Sequence, residues 1–304
     1  EYIFEHSFRR FATKCRPTIG SVKNHVEEFS HFRYVIVDEC HLVNPKEGMY
    51  RDFFKAIHCK IIGLTATPYR LYSTRNGSVL RFITNTKPRV FSRLLFFVQI
   101  GYLFSQGFLA RLNYYRIPLI DLGRLQRNST GADYTDKSVQ REYQRVSFND
   151  GVLNVVQRLM RVNRRGILLF SRFKDEAQYV SDRLPGQAAI VSQDTPKKER
   201  ERILTDFKAG RVKVVTNVGV LTTGFDYPEL DTVVLARPTL SLSLYYQMVG
   251  RAIRPHPSKT EGWIVDLCGN FNRFGRVEDL QLASYKAGTY CVQNRQRVLT
   301  NVYM

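Results

Sequence analysis

From residue 150 onward the chain alternates short apolar runs with amphipathic stretches. "NDGVLNVVQRLMRV" opens with Asn149 or Asp150 as a helix cap, and its apolar residues recur at 152, 153, 155, 156, 159 and 160. "GILLFS" (166–171) predicts a strand and "KDEAQYVSDRL" a helix. "AAIVS" predicts another strand, and "TPKKERERILTDFKAG" a helix with Pro196 in its first turn and Gly210 past its end. "VKVVTN" (212–217), "DTVVLA" (231–236) and "GWIVDL" (262–267) complete at least five short strands joined by helical crossovers. Strands alternating with helices at this spacing predict an open α/β domain with a parallel sheet.

The earlier part of the chain shows less of the same pattern. Tyr34–Val37 and "KIIGLTATP" (60–68) predict two strands. Between them "MYRDFFKAI" puts Met49, Phe53 and Ile57 on one helical face. Residues 73–150 are irregular: "STRNGS" marks a loop, and "RLQRNSTGADYTDKS" is polar and turn-rich. The expected organisation is a first α/β unit over 1–115, incomplete at its N-terminus, and a linker or excursion over 116–149. A complete second unit over 150–275 and a tail over 276–304 follow.

Composition narrows the function classes. There are 46 Lys+Arg against 27 Asp+Glu, a formal net charge of +19, which favours polyanionic partners, nucleic acid first. No apolar run approaches the ~20 residues of a membrane span, and the start lacks the basic-then-apolar order of a secretory signal. Five scattered cysteines without a C-x-x-C pair argue for a reducing compartment and against structural zinc. The six histidines form no H-E-x-x-H, so Glu39 and His41 are not a metallopeptidase site. The expectation is an intracellular, non-membrane protein.

"YVIVDECHLV" (34–43) ends a strand with two adjacent carboxylates, Asp38 and Glu39. Such a pair can divide the work of phosphoryl transfer, one holding Mg²⁺ and the next activating water. "LTATP" (64–68) follows Asp38 by 26 residues, and together the two strings resemble motifs II and III of superfamily 2 helicases. "ILLFSR" (167–172), "VVTNVGVLTTGFDYP" (214–228) and "QMVGRAIRP" (247–255) resemble motifs IV, V and VI, in the right order. "GLTATPYR", "GFDYP", GR-x-x-RP and, more loosely, "VNPKEGMYRDFF" are similar to the branch of XPB-type DNA repair helicases and type III restriction motors.

The resemblance implies two RecA-like domains and an ATP- and Mg²⁺-dependent nucleic-acid motor, acting on DNA rather than RNA, as a monomer. Asp38 would anchor Mg²⁺, and Glu39 would be the general base. His41 would link the nucleotide to motif III and to Gln247, with Thr65 and Thr67 bonding across the interdomain cleft. Arg251 and Arg254, three apart and on one face if helical, would reach the γ-phosphate from the second domain. Gly224 and Asp226 would shape the motif V loop, Asp226 lying near the ribose or bridging to the arginines. Ser171, Arg172, Thr216, Asn217, Thr222 and Thr223 are short donors at strand ends, suited to phosphate oxygens, and "PTIGSV" (17–22) resembles motif Ib. The expected location is the cytoplasm at the nucleoid for a prokaryotic or phage protein, and otherwise the nucleus.

One part is missing. A phosphate loop needs G-x-x-x-x-G-K-[ST], and the nearest string, "GADYTDKS" (131–138), has Asp136 where the second glycine belongs. It also follows motif III instead of preceding motif II. The chain therefore reads as a motor cut inside its first domain and inactive alone as an ATPase. The alternative is a non-catalytic nucleic-acid-binding module derived from a helicase core.

Overall fold

The computed structural model describes residues 32–74, 77–162, 164–222, 225–284 and 289–300. Its centre is a six-stranded parallel sheet. The strands are β5 (Arg111–Arg116), β6 (Ile167–Ser171), β7 (Ala188–Val191), β8 (Val214–Asn217), β9 (Thr232–Ala236) and β10 (Glu261–Asp266), in the order β5-β10-β9-β6-β8-β7.

β6 and β9 are buried at every position, because helices cover both faces. Leu168, Phe170, Val233, Leu235 and Ile264 face helices α6 (Lys197–Lys208) and α7 (Leu242–Val249). Ile167, Leu169, Val234, Ala236 and Val265 face α3 (Asp136–Arg145), α4 (Phe148–Arg161) and α5 (Lys174–Asp182). Uninterrupted apolar runs are what two covered faces demand, so the sequence pattern located these strands to within two residues.

The expected linker or excursion over 116–149 follows directly on β5 and contains a helix. β5 pairs with β10 through six residues, Arg111 with Glu261 to Arg116 with Asp266. Residues 136–145 form α3, which contributes Val139 and Tyr143 to the core, with Tyr143 stacked on Phe148 at 3.8 Å. The polar composition hid this because β5 is an edge strand with only Leu112 buried, and its register is supplied by a partner 150 residues away. The cap of α4 is Ser147, two residues before the expected Asn149. Burying Phe148 requires its inclusion in the first turn.

β3 (Tyr69–Thr74) and β4 (Gly77–Phe82) pair antiparallel from Tyr69 with Phe82 to Thr74 with Gly77, so both strands run into the expected 73–78 loop. Tyr69 and Leu80 of that hairpin sit in the core of the large unit. The expected tail forms an antiparallel meander of β11 (Leu280–Ser284), β12 (Tyr290–Asn294) and β13 (Arg297–Val298). Val277, Leu280 and Val292 anchor it. Just before α2 (Ile100–Ser105), the Gln99 amide donates to Leu282 O at 2.8 Å and accepts from Leu282 N at 3.0 Å, as a strand neighbour would.

The smaller unit has, among the described residues, a two-stranded parallel sheet of β1 (Tyr34–Val37) and β2 (Lys60–Gly63) crossed over by α1 (Met49–Ala56). Val35, Val37, Cys40, Val43 and Ile57 form its core. A Cβ on Gly63 would lie 2.6 Å from Cys40 Sγ, so glycine is required for β2 to pass this close to the turn after β1.

Leu169, fully buried in the central strand, should lose about 2–5 kcal/mol on substitution by alanine. Phe96→Ala, at a position 79% exposed, should change stability by less than ~0.5 kcal/mol. Urea unfolding of the two variants measures the contrast.

Candidate functional site

The chain leaves β1 at Val37 and turns within two residues. Asp38 is exposed, and its Oδ1 accepts from Glu39 N at 2.8 Å. Glu39 takes a left-handed conformation, φ 48°, ψ 44°, which costs a non-glycine residue about 1 kcal/mol or more. Its neighbours hold it there. Cys40 N donates to Leu64 O at 3.0 Å and Leu64 N to Val37 O at 2.9 Å, fastening the carboxylate turn to the segment after β2, while Cys40 itself is 1% exposed.

A relay of hydrogen bonds starts at His41, which is buried. Gln247 Nε2 lies 3.2 Å from His41 Nε2; an amide nitrogen can only donate, so the imidazole accepts there and carries its proton on Nδ1. His41 Nδ1 then donates to Thr65 Oγ1 at 2.9 Å, with a Glu39 carboxylate oxygen 3.3 Å away. Thr65 Oγ1 also accepts from Thr67 N at 3.0 Å, and Ser243 Oγ donates to Thr67 Oγ1 at 3.1 Å. Ser243 and Gln247 are one turn apart on α7, so one helix face grips both the D-E-C-H turn and the T-A-T segment. Burial holds the His41 pKa below 6.5, opposed by the Glu39 carboxylate and assisted by Arg70, which keeps the ring neutral as the relay requires.

Arg251 and Arg254 do not share a helix face, because α7 ends at Val249 and Gly250 caps it. Arg251 donates from Nη1 to Phe225 O at 2.7 Å and from Nε to Gln247 O at 3.3 Å. Burial lowers its pKa, and the Glu39 carboxylate raises it, so these two charges feel each other across the cleft. Arg254 is ion-paired with Asp226 near the surface.

Sequence reasoning missed three residues here. Lys259 directs its ammonium at Pro228 O (2.8 Å), Leu230 O (3.0 Å) and Ala252 O (3.1 Å). It thereby ties the G-F-D-Y-P loop to the turn between the two arginines, and burial lowers its pKa to about 8. Arg70 donates to Leu42 O at 3.1 Å and lines a cleft of about 300 Å³ with His41, Ser243 and Gln247. Ser243 is the third. Lys259 and Ser243 lie outside any motif string, so only the folded arrangement reveals them.

The strand-end donors expected at nucleic acid lie mostly inside the protein. Thr216 and Asn217 are 0% exposed and Ser171 is 2% exposed. Thr216 Oγ1 bonds Ala177 O at 3.3 Å, and Asn217 Oδ1 accepts from Leu221 N at 2.9 Å and Val220 N at 3.3 Å. Thr216 and the Asn217 oxygen thus brace neighbouring backbone, while Ser171 Oγ and Asn217 Nδ2 are buried without a partner. Arg172 is half-buried and engaged by Asp133, Asp136 and Tyr134 O. Thr222 is half-buried in the turn after β8. Thr223, Gly224 and "PTIGSV" lie outside the described residues.

The described residues contain no cluster of three or more His, Cys, Asp or Glu able to hold a metal alone. A single exposed Asp38 suits Mg²⁺, which keeps most of its water and leans on phosphate oxygens. No helix among these residues is long and apolar enough to cross a membrane.

Two family models match the chain. "Helicase conserved C-terminal domain" matches residues 150–256, and "Type III restriction enzyme, res subunit" matches residues 9–70. A 51.5 kDa protein of Lactococcus phage (isolate 7-9) is 27% identical over 263 residues, covering 85% of this chain and 54% of the phage protein. A Saccharomyces cerevisiae protein carrying the name ATP-dependent helicase IRC3 is 44% identical over 79 residues, 26% of this chain and 12% of its own length. The chain thus spans about half of the phage relative and a smaller part of the yeast one.

Among solved structures, a fragment assigned as the HsdR subunit of a type I restriction enzyme from Vibrio vulnificus YJ016 superposes with a TM-score of 0.60. It is 22% identical over 84% of this chain and 48% of that one. The type ISP restriction-modification enzyme LlaBIII, bound to DNA, gives a TM-score of 0.56 at 18% identity, covering 83% of this chain and 19% of that one. These likenesses show the RecA-like α/β fold.

Gln247→Ala should lower stability by about 1 kcal/mol at pH 7.5. Because the His41 pKa is lowered on folding, the neutral ring's bonds are complete above pH 6.5 and fail as pH falls through the lower folded value. The wild-type–Gln247→Ala difference in urea unfolding should therefore shrink progressively as the pH is lowered below 6.5.

Proposed function

The chain belongs to superfamily 2 of the helicase-type motors, in the restriction-motor branch, and from that premise we propose that it carries the water-activating and arginine-bearing parts of an ATP-driven nucleic-acid translocase. The observation that carries the reading is the 3.2 Å contact between His41 of the first unit and Gln247 of the second. It brings the D-E-C-H turn and the arginine turn into one cleft.

The phosphate loop would come from outside these 304 residues, and the chain alone would hydrolyse ATP negligibly. Asp38 would hold Mg²⁺, which supplies charge neutralisation at the phosphates. Glu39 would take the proton of the attacking water; its backbone is left-handed, and its carboxylate lies 3.3 Å from His41 Nδ1. Arg251, and Arg254 once released from Asp226, place positive charge against the phosphoryl group in transfer. Lys259 fixes the arginine turn to the motif V loop, so movement of one moves the other.

Motion would follow from the relay. Loss of the γ-phosphate removes what draws Arg251 towards Glu39, and α7 can then let go of His41 and Thr67. DNA is the favoured track, since the type III restriction model matches the first unit and a DNA-bound restriction enzyme shares the fold. The lack of G-x-x-x-x-G-K-[ST] supports a second reading, a binding module without catalysis. The Glu39–Arg251 and His41–Gln247 juxtapositions count against it, because binding alone needs neither.

In the longer protein that supplies the phosphate loop, Glu39→Gln should reduce ATP turnover by about 10²–10⁴-fold while leaving nucleic-acid binding intact. The 304-residue chain alone should release phosphate at background rate. A rate equal to that of a whole motor from this chain, or an unchanged rate in Glu39→Gln, would overturn the reading.

A further inference from the structure

We propose that the outer edge of β5 is a docking site for an acidic, extended polypeptide segment, which adds to the six-stranded sheet as a further strand. The site lies outside all five motifs and does not depend on the motor reading.

β5 ends the sheet on one side, with β10 as its only strand neighbour among the described residues. Ile117 N donates to Asp266 O at 2.9 Å, so the odd-numbered residues of β5 turn their backbone groups towards β10. Alternation along a parallel strand then points the N–H and C=O groups of Leu112, Tyr114 and Arg116 out of the sheet. No loop or side chain among the described residues bonds them. The opposite edge is shorter and guarded. β7 has four residues, and Ala188 N donates to Leu184 O at 2.9 Å and Ser192 N to Thr195 Oγ1 at 2.9 Å. β5 has six residues, and a row of free backbone groups of that length is a template for another strand.

The side chains beside this edge select the partner. Arg111 and Arg116, at the two ends of β5, are exposed, and neither has a carboxylate partner among the described residues. Arg116 instead lies 5.3 Å over the ring of Phe271 in α8 (Asn270–Phe274). The neighbouring acids are committed elsewhere. Glu261 accepts from Asn113 Nδ2 at 2.5 Å and from Trp263 Nε1 at 2.6 Å, and Glu278 accepts from Tyr114 OH at 2.8 Å. Beside the arginines lies apolar surface: Tyr115 is 38% exposed and Ile117 41% exposed. The Tyr115 ring is held 4.7 Å from Trp263, which the Arg164 guanidinium covers at 4.1 Å, so this surface is already ordered.

Charge decides between the possible occupants. In a second copy of the chain, antiparallel pairing along the whole of β5 would set Arg111 opposite Arg116 twice, and like charges directly opposite destabilise a strand pair. A nucleic-acid strand carries the right charge but has no alternating N–H and C=O groups to complete the ladder. A peptide with an acidic residue at each end of a short β-branched run supplies both. Its backbone pairs with Leu112, Tyr114 and Arg116, its carboxylates meet Arg111 and Arg116, and an apolar residue lies on Tyr115. The net charge of +19 steers such an anion towards the chain. The two arginines thus repel self-pairing and attract an acidic strand at the same edge.

The test uses the 304-residue chain and a fluorescein-labelled Glu-Val-Val-Thr-Val-Glu peptide, followed by anisotropy. The same peptide with Lys for both Glu should bind at least about 10-fold more weakly. N-methylation of one alternate set of peptide amides should abolish binding, and methylation of the other set should not, because only one set faces the strand edge. Arg111→Glu/Arg116→Glu should weaken the acidic peptide by about 10-fold or more and reverse the preference for Glu over Lys. Lys197→Glu/Lys198→Glu, the same charge change on α6, should alter affinity by less than ~3-fold. Thermal melting of both variants guards against misfolding, and the methylated peptides test the edge in the parent chain alone. No binding of the acidic peptide, equal loss with both methylated sets, or equal losses in the two variants would each overturn the proposal. So would loss of single-stranded DNA binding in Arg111→Glu/Arg116→Glu with no peptide bound by the parent, which would assign the edge to nucleic acid. None of these outcomes touches the motor reading, which stands or falls on ATP turnover in Glu39→Gln.

Discussion

Helices cover both faces of the six-stranded parallel sheet, and β6 and β9 are buried along their whole length. A sheet enclosed in this way has no face left for chemistry. Polar groups can meet a ligand only where strands stop, and there each must be either satisfied or aimed outward. The large unit meets most of this demand internally, although Ser171 Oγ at the end of β6 and Asn217 Nδ2 at the end of β8 are buried without a partner. Asn217 terminates β8 by accepting two backbone N–H groups, Asp266 terminates β10 by accepting two more, and Glu176 receives the N–H groups after β6. The edge β7 is closed by the same means: Thr195 Oγ1 accepts from Ser192 N, and Arg200 donates to Ser192 O.

Satisfied strand ends release the segments beyond them for work. α7, which follows β9, presents Ser243 and Gln247 to the smaller unit and then stops, so that Arg251 and Arg254 emerge from a turn. Its grip on His41 and Thr67 depends on desolvation. In the buried cleft the imidazole stays neutral, accepts on one nitrogen and donates from the other, and so passes geometry from Gln247 to Thr65. Lys259 does the corresponding job behind the arginines, spending all three ammonium protons on carbonyls from two loops.

The hairpin β3–β4, the Gln99 clamp and the C-terminal meander surround this arrangement. Tyr69 and Leu80 place the segment after T-A-T-P into the core of the large unit, and Phe82 meets Tyr290 at 5.7 Å. The connection between the units is therefore packed at the β3–β4 hairpin and at Gln99, while Leu95–Val98 between them are exposed. Any opening of the cleft has to break hydrogen bonds at His41 and Thr67 while these apolar contacts hold the hinge in register.

Local pattern determined a good deal. Apolar runs bounded by turn residues located β1, β2 and β6 to β10, because strands covered on both faces are built mainly from apolar residues, as β6 and β9 are. The D-E-C-H, T-A-T-P and Q-x-x-G-R-x-x-R strings named the groups that meet in the cleft, because that chemistry fixes both residue type and spacing. Tertiary structure decided the rest. β5 becomes a strand only by pairing with β10, the tail becomes a sheet only by packing Val277, Leu280 and Val292, and Thr216 and Asn217 turn inward because their backbone neighbours need acceptors or donors. Lys259 and Ser243 share this origin. Each acts on partners far away in the chain, and a distance of that kind has no signature in local sequence.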